Sequence, residues 1–307
     1  MAPNGIVGRT ALVGAMGGAL ALGYAMAEAR AFTLRRVELP LLPPGADPLR
    51  VLHFSDLHAT PTQRAKLEFI AGLADLKPDL VIDTGDNLAH LLAVPAVLDA
   101  FAGLLEFPGV FVHGSNDYFA PLLRNPLRYL LPDDGTRNTR HPLPWTELSK
   151  GFTNAGWLDL TNTRADLKLG GLRFAFAGVD DPHLEYDNLE AVAGPAPADA
   201  DVRLGIVHAP YLRVLDQFAA DGYDAIIAGH THGGQVCVPF LGALTTNCDL
   251  DTGRAKGLHR HPADSRPGDP GSSWLHVSAG LGTNPYTRIR VACRPEATLL
   301  TLTARPA

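Results

Sequence analysis

The chain has 307 residues, enough for one large domain or two small ones, and 46% of them are hydrophobic against 19% charged. That composition excludes a disordered chain, and a formal charge of -6 argues against a general nucleic-acid binder, which needs a basic surplus. Three cysteines make no disulfide framework, and no Cys-x-x-Cys pair is present for a zinc ribbon, although a Cys237–Cys248 bridge stays open.

The first element is an uncharged run over residues 10–27, TALVGAMGGALALGYAMA, between Arg9 and Glu28. Its length is near the lower limit of a membrane span. It also suits a signal-peptide core with a small-residue site at Ala25-Met26-Ala27, and a peripheral or buried helix is the remaining reading. Residues 1–30 are therefore expected to be a signal or anchor segment, making the protein membrane-associated or exported. Arginines on both sides leave the orientation open. Residues 31–49 form an extended, Pro-rich lead-in, in which residues 33–39 alternate as an edge strand.

From residue 50 to 307 the pattern is that of one domain. Strands are expected at 50–55, 80–84 and 109–113, with helices at 63–76 and 94–105 between them, the βαβ rhythm of a buried mixed or parallel sheet. Residues 119–150 carry five prolines and four arginines, and read as an excursion outside the core, helical near 121–131. Strands resume at 167–169, 172–177, 202–207, 225–228, 235–238, 274–278 and 297–303. Gly170-Gly171 marks a hairpin turn, and the polar segment 259–273 reads as loop. Trp145 and Trp157 read as core or cap packing.

Polar clusters end these apolar runs: Asp56-Leu57-His58, Gly85-Asp86-Asn87, Gly114-Ser115-Asn116-Asp117, His208 and Gly229-His230-Thr231-His232. In an extended chain residues i and i+2 point to the same side, so Asp56 and His58 can reach one cation, and His230 and His232 repeat the arrangement. Asp86 follows a glycine that permits a tight bend, and a carboxylate there can bridge two cations with one oxygen each. Such sets suit Mn, Fe, Zn or similar ions better than calcium, which prefers oxygen alone. Singly each cluster has a bland reading as a turn, a cap or a strand-end histidine. Together, in this order, they point to a two-metal hydrolytic site.

Phe54-Ser55-Asp56-Leu57-His58, Asp83-Thr84-Gly85-Asp86, the cluster at 114–117, Val207-His208 and Ala228-Gly229-His230-Thr231-His232-Gly233-Gly234-Gln235 resemble the signature of the calcineurin-like metallophosphoesterase superfamily. The apolar leader and the His-Thr-His-Gly-Gly-Gln ending are similar to bacterial cell-envelope phosphodiesterases. The resemblance implies a four-layer α/β/β/α sandwich with two mixed β-sheets and two divalent metal ions at the strand-end loops. Carried over, one ion is held by Asp56, His58, Asp86 and His232. The other is held by Asp86, an amide of the third cluster, His208 and His230. The family's third motif is Gly-Asn-His followed by an acidic residue. Here Ser115 stands on the Asn position and Asn116 on the His position, so Asn116 is expected to supply the amide after a one-residue shift.

The family's histidine, which resembles a general acid or transition-state stabiliser, is absent under either alignment. Candidates to replace it are His113 and the Asp180-Asp181-Pro182-His183 loop. His113, Asp181, Arg124 and Arg128 are the candidate substrate-binding residues, and the other arginines of 119–150, with Arg288 and Arg290, are either phosphate-binding or solvated surface charges. The expected activity is hydrolysis of a phosphodiester or pyrophosphate bond, lipid- or nucleotide-linked, by a metal-bridging hydroxide, with Asp86, Asn116 and His230 as catalytic positions. The competing reading is a catalytically weakened metal-binding or phosphate-sensing domain at the membrane. The expected partners are thus a phosphoester substrate and, through the leader, a membrane.

Overall fold

A computed structural model describes residues 4–123 and 135–306, with residues 4–15 as backbone. The apolar N-terminal run forms helix α1 (Asn4–Glu28). Its residues 16–24 are exposed, and it meets the domain through the buried Ala25 and Glu28. The Glu28 carboxylate accepts from the backbone N–H groups of Ala292 (3.2 Å) and Cys293 (2.8 Å). Among the described residues no helix is long and apolar enough to cross a membrane, so the anchor expectation finds no support.

Strands β1 (Thr33–Leu42), β2 (Leu49–Phe54), β3 (Leu80–Asp83) and β4 (Gly109–Phe111) follow. Between them lie helices α2 (Arg64–Gly72) and α3 (Val94–Phe101), as the alternating pattern requires. The short α4 (Ser115–Tyr118) carries the third cluster. It is followed by α5 (Trp145–Asn154) and β5 (Leu158–Asp159). β6 (Thr163–Leu169) and β7 (Leu172–Gly178) form the expected hairpin, paired antiparallel, with Gly170 and Gly171 both at positive φ. Then come α6 (Leu189–Val192), β8 (Val202–Ile206), α7 (Leu212–Ala220) and β9 (Ala225–Ala228). The remaining strands are β10 (Cys237–Val238), β11 (Gly242–Ala243), β12 (Gly257–His261), β13 (Ser273–Val277) and β14 (Glu296–Ala304).

Two six-stranded mixed sheets result, ordered β1-β14-β2-β3-β4-β5 and β12-β13-β9-β8-β7-β6. Alternation along each strand separates three apolar layers. Val51, Ile82, Val110 and Leu300 of the first sheet pack between the sheets against Phe174, Phe176, Leu204 and Ile227 of the second. Leu52, Phe54, Val81 and Phe111 face outward to α2, α3 and α5. Ile226 and Ala228 face α7. This is the four-layer α/β/β/α sandwich, with every parallel strand of the two centres ending at one edge.

Three expectations need correction. Part of the 119–150 excursion is core: α5 begins at Trp145 and buries Leu148 and Phe152 against the first sheet. The start of the segment expected as loop, up to His261, belongs to an edge strand, β12, paired antiparallel with β13, and residues 262–272 are loop as expected. A half-buried edge strand tolerates the His-Arg-His content that made it read as loop. Cys237 is a free thiol packed beside Cys293, so the Cys237–Cys248 bridge is not formed. The helix expected near 121–131 lies largely outside the described residues, as do Arg124 and Arg128.

The outer core of the first sheet centres on Phe101, fully buried, with ring centroids 5.0 Å from Phe54, 5.3 Å from Phe152 and 6.0 Å from Trp157. Phe101→Ala is expected to cost about 3–5 kcal/mol, read as a lower urea midpoint with an unchanged m-value.

Candidate metal centre

The strand ends bring the polar clusters together because the backbone reverses there within one residue. Asp56, His58, Asp86, His230 and His232 all sit at positive φ, between 44° and 68°, a region that L-residues occupy only under local constraint. The constraint is a lattice of backbone bonds between neighbouring loops: Asp56 N–H to the Gly85 carbonyl at 2.8 Å and His58 N–H to the Asp86 carbonyl at 2.9 Å. His230 N–H donates to Asp56 Oδ2 at 3.0 Å. Two glycines allow the approach. A Cβ on Gly114 would lie 2.4 Å from Asp86 Oδ1, and one on Gly229 would lie 1.9 Å from Ser55 Oγ.

Two groups of ligand atoms result: Asp56, His58 and His232, and Asp56, Asp86 and His208, the atoms of each group lying within 4.8 Å of one another. Asp86 spans the two, with Oδ2 3.5 Å from His58 Nε2 and Oδ1 3.5 Å from His208 Nε2. Around them stand groups that fix orientation. His208 Nδ1 donates to the Thr84 carbonyl at 2.6 Å, which turns Nε2 toward the centre. His232 Nδ1 lies 3.2 Å from the Gly282 carbonyl and leaves Nε2 facing His58. His230 Nε2 lies 3.0 Å from the Asn247 carbonyl, so Nδ1 is the nitrogen it can offer. Ligating histidines are normally set by such outer bonds.

Asp117, the acidic residue of the third cluster, is fully buried and accepts three backbone N–H groups: Asp86 at 2.8 Å, Asn87 at 2.8 Å and Gly114 at 3.0 Å. It ties the Asp86 loop to the Asn116 loop. Asn116 lies against Asp86, its backbone N–H 2.6 Å from Oδ1 and its side-chain nitrogen 2.7 Å from Oδ2. As placed, the amide nitrogen faces the carboxylate; a half-turn of the amide puts the oxygen there, the orientation a cation beside Asp86 favours.

Two buried polar atoms of this space, Asp56 Oδ1 and His208 Nε2, have no hydrogen bond among the described residues. Orphaned buried groups are costly, and a divalent cation satisfies Asp56 Oδ1 and His208 Nε2 directly. Protonation states also fit. Burial pushes His58 and His230 down to about 4, so both are neutral donors at pH 7, the form a metal requires. Burial raises the Asp56 carboxyl to about 6, helped by Asp86. Burial works against ionisation of Asp86 and His208 too, yet each carries its charge because the other faces it: Asp86 is held well below its ordinary value and His208 well above. A cation taking His208 Nε2 must therefore displace a proton.

A match to the calcineurin-like phosphoesterase family model covers residues 49–234, the stretch that contains every candidate ligand, while the orienting carbonyls of Asn247 and Gly282 lie beyond it. The chain belongs to the calcineurin-like phosphoesterase family. This phosphoesterase is 27% identical over 255 residues to YpbG of Bacillus subtilis, covering 82% of this chain and 84% of the relative. It is 26% identical over 279 residues to the metallophosphoesterase YkuE of the same organism (88% and 84% covered). It is 24% identical over 278 residues to the phosphodiesterase YaeI of Escherichia coli (88% of each covered).

Not all the expected substrate residues face the phosphoesterase centre. His113 is buried, with Nε2 2.8 Å from Ser149 Oγ and Nδ1 3.7 Å from Asp117, so it braces Asp117 and does not reach a substrate. Asp181 has no exposed surface; Oδ1 accepts from His183 N–H at 3.0 Å. Burial raises it to about 7, against the pull of His208. Arg290 is wholly buried behind the centre. Its guanidinium donates to the carbonyls of Ala279 (2.7 Å), Gly280 (3.1 Å), Gly282 (2.7 Å) and His232 (3.3 Å). It holds backbone and not substrate phosphate. Lys66, also buried, donates to the Leu57 carbonyl between Asp56 and His58. Neither Arg290 nor Lys66 stands near the motifs in a way that sequence spacing reveals.

Two outcomes follow. Asp117→Asn leaves one oxygen for three N–H groups, and is expected to cost about 2–4 kcal/mol and to lower bound metal, measured by urea unfolding and elemental analysis. Burial, with Asp117 nearby, raises Asp83 to about 8, whereas the unfolded carboxyl ionises near pH 4. The fold keeps a proton the unfolded chain loses, so this residue draws stability away as pH climbs between those values. With chelator present, the stability difference between parent and Asp83→Asn should drift toward the variant from pH 5 to pH 8.

Proposed function

We propose that the chain hydrolyses a phosphodiester or pyrophosphate bond at a centre of two divalent cations. The observation that carries this reading is Asp86 between two imidazoles of different ligand groups, one carboxylate oxygen toward each. Asp56, His58, Asp86 and His232 would hold one cation. Asp86, His208, His230 and Asn116 would hold the other. When bound, such ions supply Lewis acidity to phosphoryl oxygens and a lowered pKa for coordinated water.

The protein's own contribution is geometry and charge. Thr84, Gly282 and Asn247 fix the three imidazoles through their second nitrogens. Asp117 fixes the loop that bears Asp86, so that carboxylate would not reorient as substrate binds. The buried setting keeps the effective dielectric low, which strengthens every interaction with developing negative charge.

No imidazole stands where the family's third motif carries one; Asn116 occupies that place and its side chain is turned to Asp86. His113, one residue before the cluster, is engaged beneath it. With no proton donor from that loop, the leaving group must depart as a stable anion, which favours phosphoanhydrides and activated diesters over alkyl monoesters.

Treatment with chelator is expected to abolish turnover of bis(p-nitrophenyl) phosphate, and added manganese to restore it. Asp86→Asn should lower turnover roughly 10²–10³-fold or more and leave less than the parent's metal on elemental analysis. A parent loaded with two cations per chain that turns over no diester or phosphoanhydride would sink the proposal.

A further inference from the structure

Two neighbouring elements leave large apolar side chains in water. The first is the β10–β11 hairpin, in which Cys237 pairs with Ala243 and Val238 with Gly242. At its tip Phe240 is fully exposed and Leu241 is 81% exposed, and Val236 and Leu244 beside the strands are exposed as well. Phe240 also sits at φ 69°, a conformation that is costly for a bulky side chain. No packing offsets that cost, since the ring is left in water. The second element is α1, where Met16, Leu20, Leu22, Tyr24 and Met26 are all exposed. Met16, Leu20 and Tyr24 share one face by their spacing of four, and Leu22 and Met26 lie on another. A helix that is apolar on more than one face is suited to a core or to lipid.

Residues 290–293 join the two elements. Arg290 N–H donates to the Ala25 carbonyl of α1 at 3.0 Å, and Glu28 accepts from Ala292 and Cys293. The same segment binds the hairpin: Cys237 N–H donates to the Val291 carbonyl at 2.8 Å, and Val291 N–H to the Gln235 carbonyl at 3.1 Å. Charge on this side has one sign. Residues 233–248 contain no charged residue, and residues 284–294 contain Arg288, Arg290 and Arg294 with no acidic residue. Arg290 is buried, but Arg288 and Arg294 are exposed, as is Tyr286. Apolar and aromatic side chains flanked by arginines match the interface of an anionic bilayer. A second copy docked by the same patch would set these arginines against one another.

We propose that the β10–β11 hairpin and the 284–294 loop dock the protein on an anionic lipid bilayer, with Phe240 and Leu241 entering the acyl boundary and Arg288 and Arg294 meeting lipid phosphates. The contact is peripheral. The hairpin is also the rim of the candidate metal centre. A Cβ on Gly234, two residues after His232, would lie 2.4 Å from the Ala243 side chain, and Asn247 beyond β11 offers its carbonyl to His230. Docking therefore brings the centre to a surface made of phosphodiester head groups. Bilayer binding does not depend on the reaction proposed above and is measured without it.

The test is sedimentation of the full chain with vesicles of equal parts phosphatidylglycerol and phosphatidylcholine, and with vesicles of phosphatidylcholine alone. The parent should bind the anionic vesicles roughly tenfold or more tightly than the neutral ones, with the difference fading at high salt. Phe240→Ser combined with Leu241→Ser should weaken binding to the anionic vesicles roughly tenfold or more. Arg288→Gln combined with Arg294→Gln should remove most of the preference for them. Both pairs lie on the surface, so the urea midpoint should stay where it is. A parent that stays in the supernatant overturns the docking surface, as does equal binding to both kinds of vesicle. A serine pair that binds as the parent does overturns it too, and leaves α1 as the contact. Self-association that the serine pair abolishes, without vesicle binding, assigns the tip to a second copy and overturns the bilayer.

Discussion

Five side chains of the candidate metal centre hang from backbone in the left-handed region, at Asp56, His58, Asp86, His230 and His232. Each such residue costs on the order of 1 kcal/mol or more relative to an ordinary strand or helix conformation. The cost is tolerated because two parallel sheet centres end on the same edge, and each chain must turn away there while its side chain points back. The rest of the molecule can be understood as what holds those five turns. Backbone bonds join the Asp56–His58 loop to the Gly85–Asn87 loop. Two glycines let Asp86, His208 and Asp56 come within reach. The sandwich beneath is rigid because both sheets share one dry layer.

A second tier of charged and polar groups then fixes what the turns present. Asp117 spends its carboxylate on three N–H groups of two ligand loops. Arg290 spends its guanidinium on the carbonyls of His232 and of the loop that follows β13. Beneath Thr84, His53 and His276 form a buried neutral pair, Nδ1 to Nδ1 at 3.0 Å, with His53 Nε2 3.0 Å from the Thr84 hydroxyl; burial keeps both imidazoles uncharged. The candidate metal ligands thus rest on a layer of hydrogen-bonded polar groups, and that layer rests on hydrocarbon.

Much of this was legible because the ligands interrupt apolar runs. A polar residue at the end of a buried strand has few structural reasons to be there, so Asp56, His58, Asp86, His208, His230 and His232 stand out one strand at a time, and β2, β3, β4, β8 and β9 are legible for the same reason. The failures have a common physical origin in context that spacing does not carry. Helix α5 hides behind a proline-rich approach, although Leu148 and Phe152 are four apart. Strand β12 is polar because it is an edge. His113 looks like a spare imidazole until the fold puts Ser149 and Asp117 on its two nitrogens. Arg290 looks like a phosphate-binding arginine in sequence, and only its burial among backbone carbonyls shows that it holds the loop after β13.

The position of β14 carries a consequence of another kind. It lies between β1 and β2, parallel to the first and antiparallel to the second, yet it is made after every other strand described. Until it emerges, β1 has no partner in the sheet and β2 presents a bare edge. The loop before it brings Arg290 to His232, so the centre stays unfinished for the same interval. A nascent chain of this protein therefore displays its candidate metal ligands on a half-built sheet before it can hold them still. During synthesis the open edge of β2 is the place where mispairing or a chaperone competes with the native partner.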